Sequence, residues 1–143
     1  GHRFIYRAMD VTTSGNELAH AILRGGVDKY GTCIPNYHYE DCIRLLELYE
    51  KKELKNPAVI IDVNHSNSNK AFKEQIRIAS EVLHSRKHYS GVKKLVKGVM
   101  VESYLKEGRQ DINDNMEYGK SITDPCLGWE DTEELIKKIA EEC

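Results

Sequence analysis

The clearest feature of the hydrophobic pattern is the apolar run Val59-Ile60-Ile61, which ends abruptly in a polar segment reaching Lys70. Such a short, β-branched run is typical of a parallel strand covered on both faces. Asp62 and His65 would then lie at the C-terminal end of the strand, where α/β proteins assemble their chemistry. The alternative is that Asp62 caps a helix and His65 is an ordinary loop histidine.

Three stretches have the apolar spacing of amphipathic helices. The first covers residues 39–54 and is ended by Asn56-Pro57, the second runs from about residue 70 to 88 with residues 66–69 as its cap, and the third starts near Glu130. The side chains expected to face inward are Cys42, Ile43, Leu45, Leu46, Leu48, Tyr49, Phe72, Ile76, Ala79, Val82, Leu83, Leu135, Ile136 and Ile139.

Two further apolar runs have the length of strands. Residues 20–23 lead into Arg24-Gly25-Gly26, and residues 95–101 lead into Glu102. Strands that alternate with helices in this way predict right-handed units with parallel strands.

The remaining segments are assigned by their turn and loop composition. Residues 3–11, with a bend at Met9-Asp10, and the turn-rich residues 12–16 predict a hairpin. Residues 27–35 and 104–119 read as loops. Asp124 lies on irregular backbone because Pro125 and Gly128 prevent a long element there.

The predicted topology places four functional side chains at one edge of the sheet: Arg24, His65, Glu102 and Asp124. One imidazole and two carboxylates suit a divalent metal such as Mn, Fe or Zn. An arginine beside two glycines offers a site for phosphate or carboxylate. The alternative for Arg24 is a plain turn with a side chain in solvent.

Composition excludes several function classes. The 143 residues suffice for one domain or less. A net charge of -2 gives no basic surface for nucleic acid or an anionic membrane. No apolar run approaches the roughly 20 residues of a membrane span, and no signal peptide pattern opens the chain. We therefore expect a cytoplasmic protein whose four cysteines, which lack CxxC spacing, are reduced thiols.

Short motifs follow one another along nearly the whole chain. They are Ser14-Gly15-Asn16, Ile22-Leu23-Arg24-Gly25-Gly26, Pro35-Asn36-Tyr37, Asp62 with His65, Asn67-Ser68 with Lys70, Gly98-Val99-Met100-Val101-Glu102-Ser103 with Leu105, Glu107-Gly108 with Gln110, and Tyr118-Gly119-Lys120-Ser121-Ile122-Thr123-Asp124 with Cys126 and Gly128-Trp129. In this order they resemble the type I 3-deoxy-D-arabino-heptulosonate-7-phosphate (DAHP) synthases, transferases that open the shikimate pathway to aromatic amino acids.

The resemblance implies a (β/α)8 TIM barrel that condenses phosphoenolpyruvate with erythrose 4-phosphate, with a divalent metal (Mn, Fe, Co or Zn) at the strand C-termini. It implies His65, Glu102 and Asp124 as metal ligands, with His65 and Asp124 also catalytic, and Arg24 as the phosphoenolpyruvate anchor. Asp62 is assigned a supporting hydrogen bond. The family's fourth ligand, a cysteine on an earlier strand, and its upstream Lys-Pro-Arg-Thr and Lys-Asn-Gly-Thr motifs are not in this chain, and Asn64 and Pro125 replace more usual residues.

A complete barrel has about 250 residues and eight strand-helix units. We therefore expect an α/β fold that corresponds to the C-terminal half-barrel, with a hairpin insertion at residues 1–16 and the last three strand-helix units at 17–143. One hypothesis is a DAHP synthase segment that is inactive alone. The alternative is a non-catalytic, self-associating half-barrel that retains a partial metal or anion site. Either predicts a homo-oligomer or association with the N-terminal half.

Overall fold

A computed structural model describes residues 1–143, with nine strands and four helices. The strands are β1 (Arg3–Tyr6), β2 (Met9–Thr12), β3 (Ala21–Leu23), β4 (Gly26–Val27), β5 (Cys33–Ile34), β6 (Val59–Asp62), β7 (Val96–Met100), β8 (Lys106–Arg109) and β9 (Lys120–Ser121). The helices are α1 (Tyr39–Lys51), α2 (Glu74–His88), α3 (Ser90–Leu95) and α4 (Trp129–Glu142). None of the four helices combines the length and hydropathy needed to cross a bilayer.

A three-stranded parallel sheet in the order β3-β6-β7 positions the candidate site. Leu23 pairs with Ile61, and Ile61 with Val99, so these three side chains share one face. That face packs against the helices in the hydrophobic core, where Ile61 is fully buried. The mixed α/β class and the parallel strands predicted from the sequence are therefore confirmed.

The helices bury only part of the predicted apolar set. Ile78 of α2 is fully buried although the prediction omitted it. Leu48 and Ile136 are about half exposed, so their predicted inward orientation is wrong, whereas Ile139 is partly buried against the core. Leu48 and Ile136 lie at the margins of the apolar stripes of α1 and α4, where a small rotation of the helix decides burial.

The opposite face of the sheet is much less covered. Ile22, Ile60 and Gly98 are register partners on this face, and Met100 follows Gly98 by two residues. Ile22 is 45% exposed and Met100 is 39% exposed. The sheet therefore presents apolar side chains to solvent on the side away from the helices.

Helix α2 begins later than predicted. Residues 66–69 lie in turns, and the helix starts at Glu74 with Lys73 as its N-cap. His65, Asn69 and Lys70 have φ of 47°, 52° and 61°, values that a right-handed helix cannot contain. The polar segment after β6 is thus a series of turns that holds His65 clear of the helix.

Several short elements in the structure differ from those predicted from the sequence. The β1–β2 hairpin turns at Arg7 and Ala8, both with positive φ. The predicted bend at Met9-Asp10 and the predicted turn at residues 12–16 are therefore wrong as the hairpin turn, because Met9, Asp10 and Thr12 lie in β2. The predicted loop 27–35 contains the second strand residue of β4 and all of β5, and the predicted loop 104–119 contains β8, which pairs with β9. Helix α3, which the sequence reading missed, leads into β7 with no intervening residue.

Tyr49 ties the N-terminal ends of β3 and β6 together. Its hydroxyl donates to the Ala58 carbonyl at 2.8 Å and accepts from the Ala21 amide at 3.0 Å. We expect Tyr49→Phe to lower the free energy of unfolding by about 0.5–1.5 kcal/mol, because the Ala21 amide and the Ala58 carbonyl each lose one hydrogen bond and keep only the 3.3 Å bond between them. Urea denaturation measures the loss, with Tyr118→Phe, on a fully solvated ring, as the control. Equal midpoints for both variants would contradict this role.

Candidate metal centre

The four predicted site residues all follow the C-terminal ends of strands. Arg24 follows β3, His65 and Glu102 lie three and two residues beyond β6 and β7, and Asp124 lies three residues beyond β9. Because β3, β6 and β7 are parallel, the segments after them share one edge of the sheet. The structure places Arg24, His65, Glu102 and Asp124 at this edge.

Three of these side chains converge on one point. His65 Nε2 lies 2.9 Å from Glu102 Oε1 and 3.6 Å from Asp124 Oδ2. One donor atom from each residue lies within 4.8 Å of the other two. An imidazole nitrogen with two carboxylate oxygens is a donor set that fits a first-row divalent ion. The convergence therefore forms a candidate metal centre.

Asp62 fixes the orientation of the histidine ring. Its carboxylate is almost fully buried, and its Oδ2 lies 2.8 Å from His65 Nδ1. A proton held on Nδ1 by this carboxylate leaves the Nε2 lone pair directed at the metal position. The geometry agrees with the supporting hydrogen bond that we expected for Asp62.

Arg24 lies beside this centre without joining the three donors. Its Nε is 3.9 Å from Asp62 Oδ2, and its side chain is mostly exposed. Arg24, His65 and Asp124 line the same cleft of about 450 Å³, together with Lys70. Two cationic side chains next to the candidate metal centre give the cleft the charge that an anionic ligand requires.

Two amide side chains that contact Glu102 were missed in the sequence reading. Gln75 hydrogen bonds to the backbone of Glu102, and Asn64 donates to its carboxylate. Gln75 falls within the apolar stripe of the predicted second helix, between Phe72 and Ala79. A polar residue at a position expected to be buried was the signal that could have identified it.

Cys126 lies close to the centre but is not one of the converging donors. Its Sγ donates to the Asp124 carbonyl oxygen at 3.3 Å. Burial raises the pKa of Cys126; a hydrogen bond with Ser121 lowers the pKa, and the charges of Glu102 and Asp124 raise it. The net rise keeps this residue a neutral thiol that supports the backbone of Asp124.

Gly25 is held in a tight turn beside Arg24. Its φ is +72°, and a Cβ there would lie 2.8 Å from Ser66 Cβ and 2.9 Å from both Asn67 N and Ile34 O. We expect Gly25→Ala to lower the free energy of unfolding by about 2 kcal/mol or more, through left-handed strain and overpacking together. Denaturant melts measure the effect.

Gly31→Ala is the matched control for this substitution. Gly31 has a φ of +84°, but a Cβ there meets nothing within 4 Å. We expect Gly31→Ala to lower the free energy of unfolding by only about 1 kcal/mol, because it introduces left-handed strain without overpacking. Equal losses in the two variants would show that the contacts with Ser66 and Asn67 are unimportant.

A family model and the individual proteins that resemble this chain point to the same family. The model of the DAHP synthetase I family matches residues 3–137. The phospho-2-dehydro-3-deoxyheptonate aldolase of Haemophilus influenzae is 44% identical over 133 residues, covering 92% of this chain and 34% of that protein. The Phe-sensitive enzyme of the same name from Escherichia coli K12 is 43% identical, covering 91% and 35%. The chain thus spans about a third of the length of these relatives, in agreement with the expected segment.

The fold comparison agrees with the sequence comparison. The structure of phospho-2-dehydro-3-deoxyheptonate aldolase from Francisella tularensis SCHU S4 superposes with a TM-score of 0.80 at 33% identity, covering 99% of this chain and 40% of that one. The family model covers most of the chain, and the predicted resemblance is therefore confirmed. This chain belongs to the DAHP synthetase I family.

Proposed function

We propose that the chain is the C-terminal segment of a DAHP synthase and carries three metal ligands and a phosphoenolpyruvate anchor. The whole enzyme would condense phosphoenolpyruvate with erythrose 4-phosphate and release phosphate. The observation that carries this proposal is the convergence of His65, Glu102 and Asp124 beside Arg24, in a chain of this family.

Each residue has a distinct role in this proposal. A bound divalent ion (Mn, Fe, Co or Zn) supplies Lewis-acid polarisation of the sugar aldehyde or of the attacking water. His65, Glu102 and Asp124 hold that ion, and Asp62 keeps the His65 ring oriented. Arg24 neutralises the phosphate of phosphoenolpyruvate through its planar guanidinium.

The proposed architecture is the last three strand-helix units of a TIM barrel, residues 17–143, preceded by the hairpin insertion 1–16. The accessible surface area of the chain supports this architecture. The chain exposes 10057 Å², whereas a compact monomer of 16.4 kDa exposes about 7,500 Å². The excess of about 2,500 Å² is the size of an obligate interface. We infer that the apolar sheet face around Ile22 and Met100 packs against the N-terminal half, or against a second copy of this chain.

Replacement of Arg24 in a whole enzyme that contains this segment tests the anchor. We expect Arg24→Ala to raise the KM for phosphoenolpyruvate by about 100-fold or more, because the bound phosphate loses a charge-assisted partner. Steady-state kinetics with Mn²⁺ and erythrose 4-phosphate measure it. Arg44→Ala, on the exposed face of α1 and away from the cleft, is the control. An unchanged KM and kcat in Arg24→Ala would refute the role.

The second candidate is a non-catalytic half-barrel that associates with itself, favoured by the exposed sheet face and the excess surface. Phosphoenolpyruvate disappearance in the pure chain and in its mixture with the N-terminal half separates the two. Activity only in the mixture supports the enzyme segment. No activity in either, with a stable homo-oligomer, supports the non-catalytic module.

A further inference from the structure

Gln75 fixes the backbone of Glu102 at both of its polar groups. Its side chain is fully buried, its Oε1 accepts from the Glu102 amide at 2.8 Å, and its Nε2 donates to the Glu102 carbonyl at 3.1 Å. Glu102 lies beyond the last residue of β7, and the Leu127 amide also donates to its carbonyl at 3.0 Å. Its amide is held by Gln75. The Gln75 side chain therefore gives the backbone of Glu102 hydrogen bonds like those that strand pairing gives to β7.

Asn64 holds the side-chain carboxylate of Glu102. Its side chain is almost fully buried, and its Nδ2 donates to Glu102 Oε2 at 3.0 Å. The Ser68 hydroxyl donates to Asn64 Oδ1 at 3.0 Å, which orients the amide with its NH₂ group toward the carboxylate. The Asn64 backbone amide donates to Asp62 Oδ1 at 2.9 Å. Asn64 therefore connects the carboxylate that orients His65 with the carboxylate of Glu102.

These contacts make the two oxygens of Glu102 unequal. Oε2 accepts a hydrogen bond from Asn64 Nδ2, while Oε1 faces His65 Nε2 at 2.9 Å. We propose that Asn64 and Gln75 are positioning residues that present Glu102 to a divalent ion through Oε1 alone. The inference rests on the proposed function, in which Glu102 is a metal ligand.

The expected consequence is tighter and more selective metal binding. A carboxylate held by hydrogen bonds loses little rotational freedom when it coordinates, and the hydrogen bond from Asn64 makes Oε2 the weaker donor of the two oxygens. Partners that orient metal ligands typically change metal affinity by about 10–100-fold.

Titration of the 143-residue chain with Co²⁺ tests the inference, because the visible absorption of Co²⁺ reports coordination geometry as well as affinity. We expect Asn64→Ala and Gln75→Met each to weaken Co²⁺ binding by about 10–100-fold and to alter the absorption band. Ser68→Ala should produce a smaller change in the same direction, because the Asn64 amide is then free to flip.

Tyr49→Phe is the matched control. The Tyr49 hydroxyl, like the Gln75 amide, bonds to two backbone groups, but at the opposite end of β6. It should lower stability and leave Co²⁺ affinity unchanged. Hydrogen exchange without metal gives a second readout: the Glu102 amide should exchange slowly in the parent and at least tenfold faster in Gln75→Met.

The outcomes separate this inference from the proposed function. A parent chain that fails to bind Co²⁺, or whose binding survives His65→Ala, overturns the metal centre and the inference with it. If the parent binds and His65→Ala does not, but folded Asn64→Ala has the parent's affinity and absorption band, only the inference falls. If Gln75→Met fails to fold, Asn64→Ala and Ser68→Ala decide the result.

Discussion

Replacing His65 by alanine should weaken Mn²⁺ binding to this chain by more than about 100-fold, beyond the range for loss of a supporting partner. His65 supplies the only nitrogen among the three converging donors, and its Nε2 lies 2.9 Å from Glu102 Oε1 and 3.6 Å from Asp124 Oδ2. Without it, Glu102 and Asp124 offer two carboxylates and no neutral ligand between them. Isothermal titration calorimetry measures the change.

A matched histidine gives the control. His20 is exposed, and its ring lies within hydrogen-bond distance of the Leu18 carbonyl. His20→Ala should bind Mn²⁺ with the affinity of the parent chain. Equal affinity in His65→Ala would mean that Mn²⁺ binds elsewhere and that the convergence of the three donors has no functional meaning.

The isolated chain should self-associate at micromolar concentration, and Ile22→Asp should shift it to monomer. Ile22, Ile60 and Met100 lie on the sheet face that the helices leave uncovered. Burial of a few hundred Å² of apolar surface contributes several kcal/mol at roughly 25 cal/mol per Å², and a buried aspartate removes that gain. Sedimentation velocity on the parent and the variant measures the shift.

Ile112→Asp serves as the comparison for this variant. Ile112 is more exposed than Ile22 but lies in the segment between β8 and β9, which is not part of the β3-β6-β7 sheet. The same substitution there should leave the oligomeric state unchanged. A parent chain that is monomeric, with a cooperative melt, would show that the uncovered face has no role in assembly.

Sequence alone predicted the parts of the fold in which local and tertiary preferences agree. The β-branched run in β6 and the helical spacing in α1 each point to one conformation. The start of α2 was wrong because residues 66–70 can cap a helix or form turns equally well, and the positive φ of Asn69 and Lys70 decides for turns. Strand β8 was missed because it pairs with β9 across a long separation and has no alternating pattern.

The residues of the candidate site were also predicted only in part. His65 and Glu102 were predicted because each follows an apolar run, and α/β proteins place functional residues after the C-terminal ends of parallel strands. That rule could not select Asn64 as the partner of Glu102, since the two are 38 residues apart and their contact depends on how Ser68 orients an amide. Contacts of this kind are set by the packing of three segments, which no single stretch of sequence encodes.

The direct junction between α3 and β7 limits how the chain can change in length. Only Tyr89 separates α2 from α3, and no residue separates α3 from β7. One residue inserted before Val99 would exchange the two faces of β7 and turn Glu102 away from His65 and Gln75. The turns around Asn113 are exposed and can absorb added residues without moving β7. Insertions and deletions should therefore be tolerated in the segment between β8 and β9 and excluded between Gln75 and Glu102.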